Sequence, residues 1–65
     1  MFLNLKYEME KKKVTDQDIA NLLSITKKSV QNRLNGKVNF KITECLKIHG
    51  QWFQDKSLEY LFDTH

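Results

Sequence analysis

The chain has 65 residues, 40% of them hydrophobic and 29% charged, with a formal net charge of +3, one cysteine and no proline. That length holds one domain, residues 1–65, with a small core, since a chain of this size buries only about 60% of its unfolded surface. A lone cysteine excludes an internal disulfide framework, no apolar run reaches the roughly 18 residues of a spanning helix, and the opening MFLNLKYEME lacks the basic and long apolar regions of a secretory signal, so a cytoplasmic protein is expected.

Apolar residues recur at helical intervals and nowhere alternate with period two for long, which predicts an all-α fold. The first helix is expected at about residues 4–12, with Leu5 and Met9 inward, and Lys6, Glu8 and residues 10–13 toward water. Val14 seats the turn. Thr15 and Asp18 form a capping box, with Asp in place of the usual Glu, just ahead of Ile19, Leu22 and Leu23, so a short second helix begins there. Its apolar face ends at Ser24 and Ile25, and Thr26 is a good N-cap for a third helix running to about Asn35. The short interval between the two is that of a helix-turn-helix, at about residues 15–36. Gly36 closes helix three, because glycine accepts the left-handed conformation that commonly ends a helix. Phe40, Ile42, Cys45, Leu46, Ile48, Trp52 and Phe53 suggest a fourth helix at about residues 42–53, weakest at Gly50, and Ser57 caps a fifth at about 58–62. These last segments carry most of the aromatic mass and are expected to roof the preceding helices.

Charge is unevenly placed along these elements. Residues 26–41, TKKSVQNRLNGKVNFK, carry Lys27, Lys28, Arg33, Lys37 and Lys41 and no acid, whereas 14–25 carry only Asp16 and Asp18, and 42–65 carry two Lys against four acids. A positive segment in a mildly charged chain has the distribution of a nucleic-acid footprint. On helix three, Val30 and Leu34 mark the buried side. At about 100° per residue, Lys28, Gln31, Asn32 and Asn35 then fall opposite, with Lys27 and Ser29 at the entry turn.

Residues 14–37, VTDQDIANLLSITKKSVQNRLNGK, resemble the helix-turn-helix of the lambda-repressor-like, Xre-type family of phage and bacterial regulators. Thr15, Ile19-Ala20, Leu23, Ile25, Val30 and Leu34-Asn35-Gly36-Lys37 stand where that family places its Thr, Leu-Ala, core and Asn-Gly-Lys residues, and NFKITECLKI and LEYLF resemble the tail of short phage-encoded members. Asp16 departs from the phosphate-binding Gln of many relatives, Ser24 from the usual turn Gly, and Lys41 from the Thr or Ser that often caps helix four. The resemblance implies a compact five-helix domain of lambda-repressor-like fold, in which helix three enters the major groove of double-stranded DNA. Lys27, Lys28, Ser29, Gln31 and Asn32 would read bases. Lys donates to guanine O6 and N7, and the Gln and Asn amides match the donor and acceptor of adenine. Thr26, Arg33, Asn35, Lys37 and Lys41 would hold phosphates and fix register.

The function implied is a sequence-specific transcriptional regulator, most like a Cro-type phage repressor acting by operator occupancy in a bacterial host cell, associated with the nucleoid. The competing reading is a small adaptor or inhibitor that keeps the scaffold and binds protein. One short helix covers few bases, so a weak homodimer, or a monomer that pairs on an inverted-repeat operator, is expected, with Phe53, Leu58 and Phe62 at the apolar end as the interface. Cys45 and His49 are four apart, but two ligands do not make a metal site, and no cofactor is expected. Two His and one Cys assemble no catalytic constellation, so an enzyme is not expected. Trp52, Phe53, Tyr60 and Phe62 could stack single-stranded bases, but at helical spacing aromatics are more often core.

Overall fold

Helical periodicity becomes five helices in the computed structural model, which describes residues 2–63: α1 (Leu3–Lys12), α2 (Asp16–Leu23), α3 (Lys27–Leu34), α4 (Ile42–Trp52) and α5 (Leu58–Leu61). No strand occurs among the described residues. The Cα radius of gyration is 10.4 Å, against about 11 Å for a close-packed chain of this length.

Local chemistry starts most of these helices. The Thr15 side chain accepts the Asp18 N–H while the Asp18 carboxylate accepts the Thr15 N–H, a reciprocal box that satisfies two donors a helix start leaves open. Thr26 accepts from the Ser29 N–H and Ser57 from the Tyr60 N–H in the same way. At α4 the cap is one-sided, since Lys41 offers no acceptor. Its N–H donates to Glu44 Oε1 at 2.9 Å.

Three helices end in the same motif. Val14 N–H returns to Met9 O, Ile25 N–H to Ala20 O and Lys37 N–H to Asn32 O, each closing over a residue with positive φ: Lys13 at 58°, Ser24 at 57° and Gly36 at 83°. Only the last is glycine, so the first two turns carry the steric cost of a Cβ in the left-handed region.

The core gathers Leu5, Met9, Val14, Ile19, Ala20, Val30, Leu34, Ile48, Phe53 and Leu61, drawn from every helix and from the connections between them. α2 packs on α3 and α4, and α5 packs on α1 and α4. The N-terminal Phe2 joins Phe40 and Phe62 in a triangle of edge-to-face rings with centroids 5.2 to 6.0 Å apart. α1 is tied to the C-terminal helices through its polar side: Asn4 Nδ2 donates to Tyr60 O at 2.9 Å, and Lys12 Nζ donates to Trp52 O at 2.6 Å and Asp55 at 2.9 Å.

Two expectations are corrected here. Glu8, expected to face water, is 2% exposed, because α5 covers it and the Tyr60 hydroxyl donates to its Oε2 at 2.9 Å. Phe53, expected at a dimer interface, is 0% exposed and is the largest fully buried side chain, so it belongs to the core. Conversely, Ile42 and Leu46, from the apolar pattern of the fourth helix, are 77% and 51% exposed.

Candidate nucleic-acid interface

Helix α3 is held by its buried side. Val30 and Leu34 sit in the core, and the preceding turn over Ser24 and Ile25 fixes the angle at which α3 leaves α2. The two helix starts differ electrically: α2 carries Asp16 and Asp18 in its first turn, whereas α3 has no acid there and opens on Lys27 and Lys28. The positive end of the α3 dipole is therefore reinforced rather than offset, a setting that favours an anion.

Each flank of α3 is braced by a neighbouring helix. On one side Arg33 forks onto Glu44 of α4, Nε to Oε1 at 3.0 Å and Nη2 to Oε2 at 3.3 Å, while Nη1 donates to Ser29 O at 3.2 Å. The two side chains are 13% and 11% exposed. Burial would raise the Glu44 pKa, but the Lys41 N–H bond, the Arg33 bond and the positive charges of Arg33 and Lys41 outweigh it and hold the carboxyl below its ordinary value. On the other side Gln31 Nε2 donates to Asp16 Oδ2 of α2 at 3.4 Å.

Between these braces lies the exposed face. Lys27, Lys28 and the half-buried Asn32 extend side-chain donors and acceptors that make no intramolecular hydrogen bond or ion pair among the described residues. Lys37 and Lys41 follow in the chain past the C-terminus of α3, both exposed. Asn35 is exposed at the end of the helix and accepts from Lys6 Nζ at 3.4 Å.

The structure sorts the site residues read from the sequence. Lys27, Lys28, Gln31 and Asn32 lie on α3 and Asn35, Lys37 and Lys41 follow it, all exposed but the half-buried Asn32. Thr26 is committed: its hydroxyl oxygen takes the Ser29 N–H and its proton goes to Ser29 Oγ at 3.0 Å. Ser29 is half-buried and keeps its own hydroxyl proton to donate. Arg33, expected on a phosphate, spends its guanidinium inside the protein instead. Lys6 was missed, because in sequence it is one more lysine on a polar helix face. Its nearness to Asn35 comes from the start of α1 meeting the end of α3, where the Phe2 N–H donates to Leu34 O at 3.3 Å.

The Cys45 and His49 pair forms no part of this surface. Burial and the nearby Glu44 push the Cys45 thiol up, and His49 Nε2 lies 2.7 Å from Lys56 O. Among the described residues, no group of three or more His, Cys, Asp or Glu side chains is placed to hold a metal ion, and no helix is long and apolar enough to cross a membrane. Comparison with known proteins finds no matching family model, no matching curated protein and no matching solved structure.

Proposed function

We propose that the chain is a lambda-repressor-like, Xre-type helix-turn-helix protein that binds double-stranded DNA sequence-specifically and represses transcription, in the manner of a Cro protein, by occupying an operator. The observation that carries this reading is the exposed face of α3: Lys27, Lys28 and Asn32 are unengaged, and the acid-free segment continues to Lys37 and Lys41. A merely solvated helix commonly alternates charge sign along its surface, and this one does not. The turn over Ser24 and the burial of Val30 and Leu34 support the same reading, since they hold α3 so that its polar side projects from the body of the protein.

Roles then follow from placement. Lys27, Lys28, Ser29, Gln31 and Asn32 meet base edges, while Asn35, Lys37, Lys41 and the neighbouring Lys6 meet phosphates. Thr26 caps the helix and Arg33 braces it. An exposed groove of about 280 Å³, lined by Ile42, Cys45, Leu58, Glu59 and Phe62, is the surface through which two copies would pair, with Ile42 in place of the buried Phe53. The test is equilibrium binding to mixed-sequence duplexes across a range of salt. A DNA-binding protein loses affinity steeply as salt rises, because each neutralised phosphate releases counterions, whereas a protein-binding adaptor shows no such slope.

A further inference from the structure

Asp16 stands at the first position of α2, half-buried at the rim of a cleft of about 250 Å³ that it lines with Lys6, Met9, Glu10, Val14 and Leu34. Its carboxylate reaches across to α3, where Gln31 Nε2 lies 3.4 Å from Oδ2. An ionised carboxylate can only accept, so the Gln31 amide must turn its NH2 toward Asp16. The flipped amide would set its carbonyl oxygen against a negative charge. One amide N–H is thereby held by α2, and the carbonyl oxygen with the second N–H remains for an outside partner.

We propose that Asp16 is a positioning residue that sets base preference by fixing the orientation of the Gln31 amide, so that Gln31 selects adenine at one position of each half-site. The inference rests on the DNA-binding reading above and adds a specificity determinant to it. In the major groove adenine presents an amino donor beside the N7 acceptor, which is the complement of a carbonyl oxygen beside an N–H. Guanine presents two acceptors, one of which would face the Gln31 carbonyl. Thymine offers an acceptor and a methyl group, and cytosine a donor without the neighbouring acceptor. An amide free to flip would tolerate more of these arrangements than one whose NH2 is held from behind.

The test measures relative affinity for duplexes carrying each of the four bases at every position of the bound site, for the wild type, Gln31→Ala, Asp16→Ala and Asp16→Asn. Gln31→Ala identifies the position that Gln31 reads, and the wild type prefers adenine there by roughly tenfold, the scale of a bidentate base contact. Asp16→Ala should lose most of that preference at the same position and leave the others unchanged. Asp16→Asn should relax it as well, because the Asn amide can donate as well as accept and so no longer forces the Gln31 NH2 to turn toward α2. Relative preference does not depend on the fraction of folded protein, so a less stable variant still gives the answer. Preference that survives Asp16→Ala or Asp16→Asn, or a Gln31→Ala variant that alters no position, overturns the positioning role while leaving DNA binding intact. A wild type that shows no base preference at any position overturns the DNA-binding reading and the positioning role with it.

Discussion

Arg33 carries a lesson about reading charge from sequence. In an acid-free segment an arginine looks available to phosphate, but the fold brings Glu44 from α4 beneath it and a two-point fork forms in a site little exposed to water. Because the folded carboxyl has a lowered pKa, the unfolded chain takes up its proton first as pH falls. The stability contributed by Glu44 is therefore fully present above its ordinary value of 4.5 and is lost as pH falls through the lower, folded value. Glu44→Gln should lower stability by about 1.5 to 3 kcal/mol at neutral pH, the range for hydrogen bonds to charged groups. It should also flatten the acid limb of a plot of urea midpoint against pH, and an unchanged acid limb would remove Glu44 from this role.

The unengaged residues of the surface answer differently. Asn32→Ala should cost about 1 to 3 kcal/mol on the preferred site and relax preference at one position, as loss of a base contact does. Lys37→Ala should weaken binding to all duplexes alike and reduce the salt slope by about 1. Titration of each variant against preferred and scrambled duplexes at several salt concentrations separates the two behaviours, and a changed base preference in Lys37→Ala would move that residue to the reading group.

At the scale of elements, what was legible in the sequence was what is local. Thr15 with Asp18, Thr26 with Ser29 and Ser57 with Tyr60 act within three residues, so helix starts could be read from spacing alone. Glu8 could not, since its partner Tyr60 lies 52 residues away and a Glu on an amphipathic helix looks solvated until α5 covers it. The bond to Glu8 in turn holds the Tyr60 hydroxyl above its usual range. Phe53 and Ile42 show the same limit from the apolar side: both fit the fourth helix pattern, yet one ends in the core and the other in water. Hydrophobic spacing identifies a helix more securely than it identifies which apolar residues will be covered.

The turn between α2 and α3 is a local feature whose strain was also visible, as a Ser where the resembling family has Gly. Ser24 is exposed at φ 57°, so removing its Cβ relieves backbone strain and removes no buried contact. Ser24→Gly should stabilise the protein by about 1 kcal/mol. For a domain of this size that raises the melting temperature by roughly 4 to 8 °C, measurable by circular dichroism. A lowered melting temperature would show that the Ser24 side chain contributes more than its conformation costs.

For the whole molecule, the polar face of α3 and the apolar groove beside α4 and α5 together shape the proposed mode of action. Ile42, 77% exposed, borders the groove that Leu58 and Phe62 line, while the residues proposed to read bases lie on a different helix. Ile42→Lys should therefore reduce cooperative occupancy of a full operator while leaving binding to an isolated half-site and the melting temperature nearly unchanged. Sedimentation of the variant with each duplex checks this, and undiminished cooperativity would place the contact elsewhere.

Selection of bound duplexes from a random library tests the central claim, that α3 reads double-stranded DNA, most directly. The expected product is an inverted repeat with half-sites about 10 base pairs apart, centre to centre, at which Asn32→Ala loses enrichment at one position in each half while Lys37→Ala keeps the pattern. A wild-type selection that ends with no enriched sequence would contradict the claim.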